Sequence, residues 1–346
     1  MKNFTRILFS VMSLILFSAT FTNAQQIICV DRDGSFESPD IYTDDWQYIQ
    51  PALDALGYTY TYVEVQDLTL DGPDATTMAN YDMAFWFTGE VWSDGATITD
   101  NDEFNMLLYL QVNGGKLLLS AQDYLYDKYS SAGTFSPGSF PYDALGCIEV
   151  VQDVWNIETT GAADTGNIVG VPGSCAEGMA FTVWDVYTEV TDDGLYIDDF
   201  IQHQGQSMLE IAFPDPVGIG AYQYEGANFR VIFSTVSYAA VLGLDDTKNL
   251  FDRSIAWLLG TTGMAAITME QTDMLVYPNP ATTSVRIGCK DKMQELWIIN
   301  TTGQVVDHVF VDDYQTKLNI ANYNTGIYFV KTKTDKGIST SRLIVD

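Results

Sequence analysis

The stretch that decides the fold reads GGKLLLSAQD, residues 114–123, where two glycines precede an apolar run and polar residues follow it. This order is typical of a strand buried in a parallel α/β sheet, because helices cover both faces of such a sheet. Ligands and catalytic groups in these folds gather beyond the carboxyl ends of the strands. Functional side chains are therefore expected after Leu119.

Strands and helices alternate on both sides of this stretch. The pattern predicts strands at residues 26–31, 58–65, 81–89 and 228–235, and helices at residues 46–56, 99–113 and 247–259. Alternation at these intervals predicts a parallel sheet whose crossover connections are right-handed. The predicted fold class is α/β, a three-layer sandwich built on a parallel sheet.

Two further regions are rich in predicted strands. Residues 147–225 hold short apolar runs separated by Gly, Asp and Pro, which predict a β-rich insertion or an extension at the sheet edge. Residues 275–346 hold strands about every ten residues, which predict a small all-β sandwich. The predicted organisation is a leader at 1–24, an α/β domain at 25–262, a linker at 263–274 and this tail.

The balance of charge changes at the same linker. The chain holds 16 basic and 46 acidic residues, for a net charge of −30. Residues 25–262 hold 6 basic and 37 acidic residues, whereas residues 263–346 hold 8 and 9. A step of this kind marks a domain boundary. The shortage of Lys and Arg argues against nucleic acid as a partner, since these side chains neutralise phosphates.

The first residues have the order of a secretory signal peptide. Lys2 and Arg6 precede the apolar residues 7–17, and the small residues of a cleavage site follow at 22–24. No later segment reaches the roughly 18 apolar residues that a membrane helix needs. The mature chain is therefore expected to begin near Gln25 and to have no transmembrane segment.

The tail holds several short motifs together. They are VYPNPA at 276–281, NTTGQV at 300–305, LNI at 318–320, YNTGIYFV at 323–330 and RLIV at 342–345. With this set the tail resembles the C-terminal sorting domain of cargo for the type IX secretion system of Bacteroidetes-type bacteria. The residues that carry the resemblance are Tyr277, Pro278, Asn279, Pro280, Gly303, Gly326 and Tyr328.

This resemblance implies an export route and a set of partners. The partners are the translocon and sorting machinery of type IX secretion, and the expected location is secreted or on the outer-membrane surface. It also implies removal of the tail, followed by release or by attachment to surface lipopolysaccharide. The residues agree with an edge position, because Pro278 and Pro280 cannot donate to a sheet ladder.

The α/β domain resembles a divergent class I glutamine-amidotransferase-like domain of the flavodoxin type. The resemblance rests on residues 28–31, 81–89 and 114–127, including LSAQDYLY at 119–126. It implies a Cys nucleophile after the central strand, with a later His and an acid. This chain has Ser120-Ala121-Gln122 there instead, and His203 lacks the nearby acid. Because a nucleophile needs a positioned base, we predict no catalytic residue and a non-catalytic domain.

Acidic side chains follow several of the predicted strands. Asp31 and Asp33 end the first strand, and Asp123 follows the central one. Because the carboxyl ends of parallel strands meet at one edge, these oxygen ligands predict a Ca²⁺ site formed by Asp31, Asp33 and Asp123. The alternative interpretation of the same residues is a set of solvated acidic loops.

Aromatic residues lie at the same predicted edge. Trp92 follows the third strand and Tyr126 follows the central one, and exposed rings there would stack on a sugar or a peptide. Cys29 is mid-strand and predicts a buried free thiol. Cys147 and Cys175 border loops of the β-rich region and predict a possible disulfide, which an exported protein permits.

Two functional hypotheses follow for the α/β domain. The first is a non-catalytic module that binds a glycan, a protein or another ligand at the cell surface. The alternative is a hydrolase that uses the acidic edge with the assistance of Ca²⁺. The missing Cys and the shortage of histidines favour the first hypothesis.

Overall fold

A computed structural model describes residues 25–92, 97–129, 133–157, 165–187, 194–212, 218–260 and 273–346. The predicted signal peptide, at 1–24, lies outside the described residues, and so does nearly all of the predicted linker. Within the described residues no helix is long and apolar enough to cross a membrane.

The helices and strands of the α/β domain follow one another along residues 26–258. The amino-terminal elements are β1 Gln26–Asp31, α1 Trp46–Leu56, β2 Thr59–Glu64, α2 Ala75–Met78, β3 Met83–Phe87, α3 Asp100–Gln111, β4 Lys116–Ser120 and α4 Tyr124–Tyr129. The later elements are a π-helical turn Pro141–Leu145, β5 Cys147–Ile157, β6 Thr165–Gly170, β7 Ala180–Trp184, β8 Leu195–His203, β9 Gln206–Ile211, β10 Gly218–Glu225, β11 Arg230–Ser234 and α5 Leu244–Leu258.

One nine-stranded sheet organises this domain, in the order β2-β1-β3-β4-β11-β10-β9-β6-β7. The strands from β2 to β11 are parallel, and the rest are antiparallel. The predicted α/β fold class is confirmed, with a mixed sheet rather than a wholly parallel one. Most of the β-rich region extends the edge, while β5 and β8 form a separate ribbon.

The central strand β4 lies between β3 and β11, which explains its apolar sequence. Leu118 belongs to the core that packs on α1 and α5, and Leu117 and Leu119 belong to the core that packs on α3. Gly115 precedes the strand because a Cβ there would lie 2.5 Å from the ring of Tyr109. The two cores and the sheet make the predicted three layers.

Local signals set the ends of the helices. Thr99 and Asp102 form a capping box that begins α3, as the sequence predicts. Helix α5 begins at Leu244 rather than at the predicted Thr247. The hydroxyl of Thr247 donates to the carbonyl of Gly243 at 3.0 Å, so this residue lies inside the first turn instead of capping it.

The tail is all-β, as predicted. Its strands are β12 Met274–Tyr277, β13 Ser284–Asn300, β14 Val305–Asn319, β15 Gly326–Thr334 and β16 Gly337–Val345. The sequence predicts short strands where the structure has the long β13 and β14. Register shifts after Gly288 interrupt the ladder between these two strands, which explains why their halves read as separate elements.

The tail packs against helix α3 of the α/β domain. Arg286 donates to Oδ1 of Asn101 at 2.7 Å and lies over the ring of Phe104. Leu275 joins the apolar core that surrounds this helix. One charged side chain, Arg286, and the apolar side chain of Leu275 both contribute to the contact.

Candidate functional site

An acidic cluster lies at the carboxyl end of β1. Asp31 is the last residue of the strand, and Asp33 follows in the turn, with both side chains buried. The main-chain N–H of Asp33 donates to Oδ1 of Asp31 at 3.0 Å, and the hydroxyl of Tyr62 donates to Oδ2 at 2.8 Å. These contacts fix both carboxylates near the sheet edge.

The loop before α1 brings a third acidic residue to this place. The N–H of Asp45 donates to Oδ2 of Asp33 at 2.8 Å, which holds the end of the loop against the strand. One carboxylate oxygen from each of Asp31, Asp33 and Asp44 then lies within 4.8 Å of the others. The sequence prediction missed Asp44 because its position depends on the path of this loop.

Asp123 is not a member of this group of three. Its Oδ2 accepts a hydrogen bond from Nε2 of Gln122 at 2.7 Å, and its side chain lines a separate groove. The prediction that places Asp123 beside Asp31 and Asp33 is therefore corrected, and Asp44 takes that place. Strands β1 and β4 end at the same edge, but β3 lies between them in the sheet.

Burial and mutual repulsion dominate the electrostatics of the cluster. Burial raises the pKa of Asp31 well above its usual range, and the charge of Asp33 adds to the effect. Burial also raises the pKa of Asp45 well above its usual range, with further contributions from Asp33, Asp31 and Glu90. The cluster therefore favours neutralisation by a proton or by a cation.

Arg32 lies between the two strand-end acids in sequence but is paired elsewhere. Its guanidinium is 3.2 Å from Oδ2 of Asp102, and both side chains are buried. It also donates to the carbonyls of Leu68, Leu70 and Thr97. This arginine therefore joins the loop after β2 to the start of α3.

A groove lies next to the cluster, at the ends of β3 and β4. It has a volume of about 190 Å³, and its lining residues are Trp92, Asp123, Tyr126, Asp153 and Tyr196. Trp92 is 49% exposed and Tyr126 is 40% exposed, and their ring centroids are 6.3 Å apart. The structure therefore brings together the two aromatic residues that the sequence singles out.

Helix α4 explains why Tyr126 faces the groove. Its neighbour Tyr124 is buried and donates to Oε1 of Glu103 at 2.7 Å, which anchors the helix on α3. The sequence prediction included no helix at Tyr124–Tyr129. A helix of six residues shows too little periodicity to be recognised in sequence.

Asp153 reaches the groove from strand β5 and has an unusual backbone conformation. Its φ is +53°, the one positive value among the non-glycine residues that the structure describes. Its N–H donates to Oδ1 of the buried Asp198 at 3.1 Å. Conformations of this kind cost free energy and persist where the surroundings impose them, often at functional sites. Sequence offered no signal for Asp153.

Ser120 and His203 have separate structural contacts. Ser120 accepts a hydrogen bond at Oγ from the N–H of Tyr238, at 3.2 Å. Nε2 of His203 lies 3.1 Å from Oγ of Ser207, and its ring stacks on Tyr222. His203 therefore contacts Ser207 and not Ser120, and within the described residues no acid orients its ring, because Nδ1 has no hydrogen-bond partner there.

The cysteines are free thiols, which corrects one prediction. Cys147 lies in the core around α3, and Cys175 packs against the core on the other face of the sheet. The predicted disulfide between them is therefore wrong, because the sheet separates them. Cys29 is a buried free thiol, as predicted, and burial raises its pKa.

The sorting-motif residues hold the first strand of the tail against the last. Asn279 donates from Nδ2 to the carbonyl of Arg342 at 2.7 Å and accepts at Oδ1 from Ile344 at 2.8 Å. Gly303 has a φ of +84° in the turn between β13 and β14. Tyr328 is buried, and its hydroxyl donates to the carbonyl of Asn324. Tyr277 ends β12, and Pro278 and Pro280 follow it without joining the ladder.

A family comparison identifies the tail. Residues 275–346 match the secretion system C-terminal sorting domain. The protein is secreted or displayed on the cell surface. The domain supports delivery by the type IX secretion system and contact with its machinery. No curated protein sequence matches the chain at a significant level.

Solved structures resemble different parts of this exported chain. PorZ of Porphyromonas gingivalis, a surface component of the type IX secretion system, is 24% identical over 21% of this chain, with a TM-score of 0.19; the match spans 11% of PorZ. A ThuA-like protein of Bacteroides uniformis is 10% identical, covering 70% of this chain and 95% of that protein, with a TM-score of 0.41. The glutaminase domain of Trypanosoma brucei CTPS, with bound acivicin, is 11% identical, covering 71% of this chain and 98% of that domain, with a TM-score of 0.36. Likenesses at these scores transfer no function to this chain.

Proposed function

We propose that the exported α/β domain binds a neutral glycan in the groove of Trp92 and Tyr126 and does not catalyse a reaction. The observation that carries the proposal is the pair of exposed aromatic rings beside two carboxylates. Exposure of apolar rings of this size to water is unfavourable, and the C–H face of a sugar ring would cover them.

The polar lining favours a ligand with many hydroxyl groups. Asp123 and Asp153 offer acceptor oxygens, and Tyr196 offers a phenol. The groove is smaller than the about 300–1,000 Å³ that holds a drug-sized ligand, which favours a single terminal sugar unit. Two carboxylates in one groove repel anions, so acidic sugars are excluded from the proposal.

A binding assay with the full chain tests this proposal. Neutral glycans immobilised as a panel are the probes, and Trp92→Ala and Tyr126→Ala are the variants. An aromatic contact is worth about 0.5–1.5 kcal/mol, so we expect each variant to weaken binding about two- to tenfold. Phe310→Ala is the matched control, because Phe310 is an exposed aromatic residue of the tail.

Three outcomes would contradict the proposal. Binding that the control variant reduces as much as Trp92→Ala does would place the ligand elsewhere. Binding of basic peptides in preference to sugars would show that the ligand is a peptide and not a glycan. Release of new reducing ends from a bound glycan would overturn the non-catalytic part, since paired carboxylates are the machinery of glycoside hydrolysis.

A further inference from the structure

We propose that Asp31, Asp33, Asp44 and Asp45 together bind one divalent cation, of the Ca²⁺ class, at the carboxyl end of β1. The site lies beside the groove of Trp92 and Tyr126 but shares none of its lining residues. It therefore stands or fails independently of the proposed function.

The spacing of three carboxylates suits a single ion. One oxygen from each of Asp31, Asp33 and Asp44 lies within 4.8 Å of the other two. Ligand oxygens on opposite sides of Ca²⁺ are about 4.6–5.2 Å apart, since each Ca–O distance is about 2.3–2.6 Å. A single ion can therefore contact all three oxygens. Asp44 is exposed, which gives the ion a path from solvent.

The buried side chain of Asp45 gives a second, independent reason to expect a cation. Its side chain is 1% exposed, and its Oδ1 has no hydrogen-bond partner among the described residues. Asp45 occupies the N-cap position of α1, yet its side chain makes no capping bond. An acceptor oxygen that is buried and unpaired costs about 1–3 kcal/mol or more when charged. A bound cation would remove this cost.

This unpaired oxygen lies close to Gly89, the glycine that also borders Asp33. A Cβ atom built on Gly89 would lie 2.9 Å from Cβ of Asp33 and 3.5 Å from Oδ1 of Asp45. Oδ1 of Asp45 and the Cβ of Asp33 therefore border the same glycine. The hydrogen bond from the Asp45 N–H to Oδ2 of Asp33 fixes this arrangement.

Neutral groups donate hydrogen bonds to the buried carboxylates of Asp31, Asp33 and Asp45. Within the part of the chain that the structure describes, their hydrogen bonds come from main-chain N–H groups and from the hydroxyls of Tyr62 and Tyr187. Three carboxylates thus converge beside the buried Asp45, and the donors of these hydrogen bonds carry no positive charge. Isolated buried carboxylates are unfavourable unless a proton, a cation or a metal compensates them.

The ligand set favours Ca²⁺ over other divalent ions. Carboxylate oxygens are hard ligands, and the group has no His or Cys that would select zinc or copper. Ca²⁺ accepts six to eight oxygens in flexible geometry, whereas Mg²⁺ demands near-ideal octahedral geometry and retains several waters. A cluster in which the protein already supplies four mostly buried carboxylates suits the larger ion.

Calorimetric titration of the chelator-treated full chain with CaCl₂ tests the site. We expect one ion per chain and a higher thermal midpoint with Ca²⁺ than with chelator, because binding to the folded form stabilises it. Asp44→Asn should weaken Ca²⁺ binding at least tenfold and leave the midpoint in chelator unchanged. Asp40→Asn, an exposed change of equal charge nearby, is the matched control and should bind as the parent chain does.

Asp45→Asn separates a ligand role from a structural role. The change keeps the side-chain shape, so a ligand role predicts at least tenfold weaker Ca²⁺ binding with no loss of midpoint in chelator. A lower midpoint in chelator with unchanged Ca²⁺ affinity would overturn the assignment of Asp45.

Other results would overturn the site itself. One is the absence of binding when millimolar Ca²⁺ is present in tenfold molar excess over the protein. A second is that Asp44→Asn and Asp40→Asn weaken Ca²⁺ binding equally. A third is that the chain binds Mg²⁺ more tightly than Ca²⁺. The second result would show general attraction of cations to an acidic surface.

Discussion

The α/β domain and the tail treat charged side chains in opposite ways. The α/β domain buries several acidic residues, namely Asp31, Asp33, Asp45, Glu90, Asp102, Glu103, Asp123, Asp185 and Asp198. In the described residues of the tail, no Asp, Glu, Lys or Arg is buried. There, Glu295 pairs with Lys333 and His308 in partly exposed positions.

This difference shows which charges the fold itself requires. Burying a carboxylate lowers stability unless a partner compensates it, whereas a surface pair changes stability little. The tail needs only an apolar core and surface turns. We infer that the α/β domain retains its buried acids for binding and for joining its loops, at a cost in stability.

The largest expected effect on stability comes from removing the buried positive charge of Arg32, which joins the loop after β2 to helix α3. Arg32→Met would leave the buried Asp102 without its charged partner, and would remove donors from the carbonyls of Leu68, Leu70 and Thr97. We expect the free energy of unfolding to fall by about 3–5 kcal/mol. Urea unfolding of the full chain measures it.

Arg342→Met in the tail is the matched control for that experiment. Arg342 is exposed, so we expect its replacement to leave the urea midpoint of the α/β domain unchanged. An equal loss of unfolding free energy in the two variants would show that the two regions do not differ in their dependence on charged side chains.

A smaller effect, dependent on pH, is expected at Asp198. Burial raises its pKa to about 8, so the folded chain holds a proton there that the unfolded chain releases near pH 4. The stability from this proton is complete below about pH 4 and is lost as pH rises through 8. We expect the free energy of unfolding to fall with pH in this window, by at most about 1.4 kcal/mol per pH unit for this group.

Asp198→Asn should flatten part of this dependence. Thermal or urea unfolding at pH 5, 7 and 9 measures the slope for the variant, the parent chain and Asp40→Asn. Asp40 is exposed, so its variant should keep the parent slope. A slope that Asp198→Asn leaves unchanged would show that Asp198 is not the group that titrates.

The smallest effect is expected at the surface of the tail. Lys333→Ala removes the ammonium that lies 2.9 Å from Oε1 of Glu295. Because solvent screens this pair, we expect the thermal midpoint of the full chain to stay within experimental error. A clear drop in the midpoint would show that the tail also depends on its ion pairs, and would weaken the contrast.

Local signals in the sequence were sufficient for much of the fold. The apolar run before Ser120 predicted β4, and the spacing of residues 46–56 predicted helix α1. The motifs around Asn279 and Gly303 predicted the sorting domain, which the family comparison confirms. These features depend on neighbours within a few positions, so short-range sterics and hydrogen bonding determine them.

The candidate sites required the tertiary structure. Trp92 and Tyr126 were predicted by following strand ends, and Asp31 and Asp33 by the same rule. Asp44 and Asp153 were missed because a loop positions the first and a strand with register shifts positions the second, and neither feature leaves a local pattern in the sequence.

The sequence by itself determined the export signal in the tail, the α/β class and the excess of acid. Tertiary structure alone decided which acids converge, which face of the sheet each cysteine occupies, and that Arg32 pairs with Asp102. The physical reason is the separation along the sequence over which each kind of interaction acts. Periodicity and capping act over a few residues, whereas convergence of side chains depends on sheet order and loop paths spanning tens of residues.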